Sequence, residues 1–345
     1  MSRFLSRASL VVLSLLLVIG TLAACAAPTP QPVTIVATPT ARPITGHYKV
    51  AWIPPDMFNP FWVYNRQGME QIVSQALAEK GLKVDIVELA PIKTFDVGEQ
   101  VAIFENAIQM KVDGIIVCPT DQNSLIPMAA KAKAAGIPVV ALSTDIPGDA
   151  TLTNVGVTNT PSAKKIAKLV IEKLGNRGNY LILTGIPGNL VSDEREAGYK
   201  EALSECADCK LLDIQPADFN REKGMATMEN MLSKFSGINA VFVANDEIAL
   251  GAWEAISAAG KEKDVIVAGF DGNKDVTTSV KDGKIIATLD QDPWRQGTDS
   301  MTSLIEYWEK KSVERYRTWV GDITDSSNAA AKLSKFADME QWFKP

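Results

Sequence analysis

From Lys49 onward, short apolar runs and longer stretches of helical spacing take turns along the chain. Lys49–Ile53 is an apolar run; Pro60–Lys80 then carries Met69, Ile72, Val73, Ala76 and Leu77 on one helical face and is closed by Gly81. Strand patterns follow at Lys83–Leu89, Gly114–Cys118 and Pro138–Leu142, with helical patterns at Phe95–Met110 and Leu125–Ala135 between them. The second half repeats the rhythm. Its strands are Tyr180–Thr184, Leu211–Gln215, Ala240–Ala244, Val265–Phe270 and Ile285–Leu289; its helices are Ser162–Leu174, Glu194–Glu205, Glu222–Phe235, Ile248–Ala259 and Asp275–Lys281. Apolar strands bridged by helices imply parallel sheets covered on both faces. Roughly ten strands are more than one such sheet holds at this length, which predicts an α/β fold of two doubly wound lobes.

The N-terminal pattern is different in kind. Arg3 and Arg7 precede an apolar run from Leu10 to Ile19 that only Ser14 interrupts, and the run leads into Leu22-Ala23-Ala24-Cys25. A basic start and a short apolar stretch make residues 1–24 a secretory signal peptide, too short and too early for a membrane span of about 20 residues. Small residues before a Cys are similar to a bacterial lipobox, in which Cys25 is acylated; the plainer alternative is an ordinary cleavage site with an incidental Cys. Residues 25–45 are rich in Pro and Thr and hold no acidic residue, so they read as a tether. The chain is then extracytoplasmic and anchored, not spanning, at the outer face of the cell membrane.

Composition narrows the chemistry. The 345 residues are 46% hydrophobic and carry a formal charge of −6, with no basic stretch, so neither disorder nor nucleic-acid binding is expected. His47 is the single histidine, which nearly excludes Ser-His-Asp catalysis, Cys-His catalysis and multi-His metal sites. No phosphate-cradling glycine motif occurs, and neither a metal nor a cofactor is expected.

Ligands of open parallel sheets bind beyond the carboxyl ends of the strands. Those ends carry Asp56 through Asn59, Phe61 and Trp62; Cys118 through Asp121; Ser143 through Asp145; Asn245-Asp246; Asp271; and Gln291-Asp292. Phe219, Asn220 and Arg221 precede a helix. Planar groups able to make paired hydrogen bonds, beside flat apolar rings, suit vicinal hydroxyls and the C–H face of a sugar. Each Asn or Asp can equally be a helix cap or turn residue, the reading favoured for Asp121, Asp246 and Asp292.

Asn59-Pro60-Phe61-Trp62, the run Gln215–Arg221, the run Asn245–Ala252 and Gly269-Phe270-Asp271-Gly272 resemble the ribose-binding-protein family, the type I periplasmic solute-binding proteins of sugar ABC transporters. The resemblance runs from about Lys49 to about Lys311. It implies two lobes joined by three crossing strands: lobe one at 46–157 with 290–318 returning to it, lobe two at 158–289 with 319–345 crossing back. It places Asn59, Phe61 and Trp62 against the sugar from lobe one, and Phe219, Arg221, Asn245, Asp271 and Gln291 from lobe two or the hinge. Thr158 falls at the first crossing. Three positions depart: Cys118 where the family often has Asn, Ser143 where it often has Asp, and Asp193 where the ribose binder has a ligand Arg. Asp145 matches a further acid that some relatives carry two residues after the Ser143 position, Asp56 and Asp193 are left as substitute hydroxyl acceptors, and Arg195 stands where a residue often buttresses the loop.

The implied function is a monomeric, non-enzymatic binding lipoprotein that captures an aldopentose or aldohexose and delivers it to ABC permease subunits. The alternative is a receptor of the same fold that senses a sugar or furanosyl signal for a chemoreceptor or kinase. A repressor of this fold needs a DNA-binding N-terminus, and scattered carboxylates resemble a hydroxyl cage more than a glycosidase pair. Cys206 and Cys209 lie between a helix and a strand and are expected to form a local disulfide; the rival reading is a Cys-x-x-Cys redox site, which normally opens a helix. Cys118, on a buried strand, is expected to remain a thiol.

Overall fold

The computed structural model describes residues 46–341; the segments read as signal peptide and tether, with Cys25, lie outside them. The chain lays down β1 (His47–Ile53), α1 (Pro60–Lys80), β2 (Lys83–Glu88), α2 (Val97–Gln109), β3 (Gly114–Val117), α3 (Gln122–Ala134), β4 (Val139–Leu142) and β5 (Thr153–Val157). A second series follows: α4 (Asn159–Lys173), β6 (Arg177–Thr184), α5 (Leu190–Ser204), β7 (Asp208–Pro216), α6 (Arg221–Lys234), β8 (Ala240–Val243), α7 (Asp246–Ala258), β9 (Ile266–Asp271), α8 (Lys274–Lys281) and β10 (Ala287–Asp290). Then come α9 (Pro293–Trp308), β11 (Tyr316–Trp319), β12 (Asp322–Asp325) and α10 (Ala329–Gln341).

The strands form two six-stranded sheets, ordered β11-β5-β4-β3-β1-β2 and β12-β10-β9-β8-β6-β7. Every pairing is parallel except that of β12 with β10. The chain crosses between the lobes after β5, after β10 and between β11 and β12. At the crossings Thr158 donates its backbone N–H to Trp319 O at 2.8 Å, and Gly321 N–H donates to Ser162 Oγ at 3.0 Å.

Burial follows the period of two that strands impose. Val50 and Trp52 enter the core on one side of β1, Ala51 and Ile53 the core on the other, all fully buried. Lobe two repeats this along β6, with Leu181 and Leu183 on one face and Tyr180 and Ile182 on the other. Each large apolar side chain so buried stabilises its lobe by about 1.5–3 kcal/mol.

Helices meet through glycines. A Cβ on Gly68 of α1 would sit 2.2 Å from Trp294 O, and one on Gly297 of α9 would sit 1.9 Å from Asn65 O. The same contact joins α6 and α7, where a Cβ on Gly251 would meet Arg221 O at 2.0 Å. Backbones this close leave no room for a methyl group. Gly297→Ala is expected to cost about 3 kcal/mol by forcing α1 and α9 apart. An unchanged melting temperature would show that the helices are not held in contact here.

The helix α10 belongs to lobe two through β12 and α8, and Lys332 pairs with the buried Asp290 at the end of β10. Its Phe336 also reaches lobe one, with its ring 4.9 Å from that of Tyr64 in α1.

Candidate functional site: the crevice between the lobes

The carboxyl ends of both sheets face a crevice with about 470 Å³ of atom-free space. Lobe one lines it with Asn59, Phe61 and Trp62 from the start of α1, Phe95 before α2, Cys118 and Pro119 after β3, and Ser143 and Thr144 after β4. Lobe two contributes Asn189 and Arg195 from around the start of α5, Phe219 before α6, Asn245 before α7, Asp271 at the end of β9 and Gln291 after β10.

Capping and lining are not rival roles here. Asn59 caps α1 by accepting from Phe61 N–H at 2.9 Å, and Asn245 caps α7 by accepting from Ile248 N–H at 3.0 Å. Both still line the crevice. Each helix N-terminus fixes its own cap residue at the cavity wall, because the orphan N–H groups need that oxygen. Asp121 and Asp292 act as caps, of α3 and α9. Asp246 does not: its carboxylate turns inward to accept from Asn273 N–H and Thr288 Oγ, each at 2.7 Å.

The charged centre lies wholly on lobe two. Arg195 is buried, donates through Nε to Asn159 Oδ1 at 3.0 Å and through Nη1 to Ala244 O at 2.6 Å, and stacks 3.8 Å above the Phe270 ring. Its Nη1 stands 3.6 Å from Asp271 Oδ1, which also accepts from Gln291 Nε2 at 2.7 Å. Gln291 Oε1 is buried with no hydrogen-bond partner among the described residues. Asp271 adopts φ 144°, a conformation L-residues rarely take, so its neighbours hold the carboxylate at the crevice against backbone strain. Burial raises its carboxyl pKa to about 7 and outweighs the opposing pull of Arg195. Burial, reinforced by the charge of Asp271, pushes Asp246 well above the usual carboxylate range.

Contacts across the crevice hold the lobes together. Asn189 Nδ2 donates to Thr120 O at 3.1 Å, Asn273 Nδ2 to Asn59 Oδ1 at 3.4 Å, and Phe95 stacks on Phe219 with centroids 5.5 Å apart.

Five expected site residues lie off the crevice lining. Asp145 is held by Arg315, whose Nη2 donates to both its oxygens at 2.9 and 3.1 Å. Arg221 lines an adjoining cavity between the lobes, shared with Asp56, Asn59, Phe95 and Phe219, and donates through Nε to Glu254 Oε1 at 3.1 Å. Asp193 is exposed on the first turn of α5, whereas Arg195, two residues on, turns inward and lines the cavity as well as bracing it. Asp56 is spent locally, its Oδ1 accepting from Phe58 and Asn59 N–H at 2.8 and 2.9 Å and its Oδ2 from Trp62 Nε1 at 3.3 Å. Thr158 sits at the crossing, its Oγ donating to Trp319 O at 3.3 Å. Phe95 is not helical, as its pattern would have it. It has φ 58° in the loop before Asp96, which caps α2. Asn189 escapes the strand-end rule, although its place before Leu190-Val191 is a cap signal.

Cys206 and Cys209 form a disulfide with Cα atoms 5.3 Å apart, and Cys118 is a buried free thiol. Burial raises the Cys118 pKa far above the usual thiol value, so it stays protonated.

Residues 50–312 match the periplasmic binding protein domain family. The chain is 38% identical over 237 residues to the ribose import binding protein of Bacillus subtilis, covering 68% of this chain and 73% of that one. It is 30% identical over 292 residues to the D-apiose import binding protein of Actinobacillus succinogenes, covering 84% and 91%. Among solved structures, an ABC transporter periplasmic solute-binding protein of Actinobacillus succinogenes with bound D-allose superposes with a TM-score of 0.77 at 30% identity, covering 82% of this chain and 99% of that one.

Proposed function

As this chain belongs to the periplasmic binding protein family, whose sugar-binding relatives are transporter components and not enzymes, we propose that it captures a monosaccharide, an aldopentose or aldohexose, between its lobes and hands it to the permease of an ABC importer. One observation carries the reading: Arg195, Asp271 and Gln291 converge, buried, on one side of a crevice whose other side presents Phe61 and Trp62. The polar trio suits vicinal hydroxyls and the rings suit the C–H face of the sugar. Entry requires the lobes to part, and closure traps the sugar from both sides.

Titration of the purified protein with D-ribose, D-allose and D-apiose tests this. At least one is expected to raise the melting temperature, since a ligand that binds only the folded state stabilises it. No shift from these or from any other aldopentose or aldohexose tried, deoxy forms included, at millimolar concentration would sink the proposal.

The sequence Leu22–Cys25 after a complete signal pattern supports acylation at Cys25, with the tether letting the lobes stand off the membrane. Cells fed a labelled fatty acid are expected to mark the wild-type chain and not Cys25→Ala. An unlabelled wild-type chain would remove the anchor from the proposal.

A further inference from the structure

Hydrogen-bonding capacity is divided unequally across the crevice. Lobe two contributes Arg195, Asp271, Asn245 and Gln291, with Gln291 Oε1 buried and unpartnered among the described residues. Lobe one contributes no charged side chain to the lining, only the neutral polar groups of Asn59, Ser143 and Thr144. Its own carboxylates near the crevice are committed elsewhere, Asp56 to backbone N–H groups and Trp62, Asp145 to Arg315. Ser143 Oγ already donates to Gln296 Oε1 at 2.9 Å.

The wall made by Cys118 and Pro119 is nearly closed to hydrogen bonding. Cys118 N–H donates to Ile53 O at 3.1 Å, and Cys118 O accepts from Gln100 Nε2 at 2.9 Å. Pro119 has no N–H. Thr120 N–H donates to Gln100 Oε1 at 2.8 Å, and Thr120 O accepts from Asn189 Nδ2. The backbone donors of this segment are therefore all engaged, which leaves a thiol, a weak hydrogen-bonding group, as what Cys118 can offer. A sugar hydroxyl pressed against this wall would lose its water and meet only a weak thiol and carbonyls that already accept one bond each, since the unpartnered Thr120 hydroxyl lies outside the crevice lining.

Resting on the monosaccharide reading above, we infer that the site selects a deoxy monosaccharide, held by its hydroxyls on lobe two and turning a CH2 or CH3 edge to Cys118 and Pro119. An apolar wall discriminates against an added hydroxyl by about tenfold to a hundredfold.

Calorimetric titration of the mature protein with paired sugars tests the inference: D-ribose against 2-deoxy-D-ribose and 5-deoxy-D-ribose, and D-allose against 6-deoxy-D-allose. In at least one pair the deoxy sugar is expected to bind about tenfold to a hundredfold more tightly than its parent. Parents that bind as tightly as every deoxy counterpart, or more tightly, would overturn the inference and leave the sugar-binding reading standing. Binding of none of these sugars would overturn both. Cys118→Asn supplies an amide donor and acceptor at the wall and is expected to erase the preference, with Cys118→Ser as the smaller change if the amide disturbs folding. An undiminished preference in a folded Cys118 variant would overturn the assignment of the wall.

Discussion

Asp271→Asn is expected to weaken sugar binding by about two to three powers of ten while the melting temperature holds or rises. An ionised carboxylate accepts from two hydroxyls, each charge-assisted bond contributing roughly 1.5–3 kcal/mol, and every 1.4 kcal/mol is about tenfold in affinity. The amide keeps the shape and can still accept from Gln291, but it removes a carboxyl that burial disfavours in its charged form. The pH dependence has two opposite signs. The folded-state pKa is raised to about 7, so between the ordinary carboxylate range and 7 the folded chain binds the proton that the unfolded chain has released. Stability from this group therefore rises as pH falls through that window, while affinity falls because the sugar needs the ionised form. Titrations and melting curves at pH 5.5 and 8 separate the two, and the Asp271→Asn substitution should flatten both trends. Near-normal affinity with a lowered melting temperature would make Asp271 a structural support instead.

Arg195→Met should destabilise the chain by about 3–5 kcal/mol, the cost of leaving a buried charge without its counter-ion. The guanidinium is braced by Asn159 Oδ1, Ala244 O and the Phe270 ring, and it faces Asp271 across 3.6 Å. Without it, the carboxyls of Asp271 and Asp246 rise further above their unfolded values. The deficit is then largest above neutral pH and shrinks as pH falls below about 7 and Asp271 takes up its proton. Equal deficits at pH 5 and 8 would mean that Arg195 acts by packing alone.

The paired lobes are legible in the chain because strands such as Gly114–Val117 and Ala240–Val243 are apolar on both faces and stand out from any helix pattern. The strand β5 is not, since Thr153-Asn154 and Gly156 look like a loop; Asn154 is tolerated there because its Nδ2 donates to Ala141 O at 3.3 Å. The helix α9 is hidden for a related reason. Its buried face opens on Gln296, Gly297 and Ser300, small or polar residues that suit the close approach of α1, and the apolar stripe of Met301, Leu304, Ile305 and Trp308 occupies only its second half. At the site, the strand-end rule finds Asn59, Asn245, Asp271 and Gln291 among the crevice residues. It does not tell that Asp145 and Arg221 lie outside this lining, because proximity to a strand or helix end does not say which neighbour claims the charge. Arg315 and Glu254 lie 170 and 33 residues away along the chain, beyond any local pattern. Phe95 escapes because its loop conformation is not encoded by periodicity.

The contact of Phe336 with Tyr64 gives the lobes an attraction on each other that no sugar mediates. It therefore acts on how often the empty protein visits the binding-competent arrangement. Apparent affinity scales with that fraction, so a change at Phe336 multiplies every dissociation constant by one common factor. Discrimination among sugars, a ratio in which that factor cancels, stays where the crevice sets it. Sensitivity and selectivity are thus carried by different parts of this chain: a C-terminal helix that never meets the ligand can set the concentration at which the protein responds, without altering what it responds to.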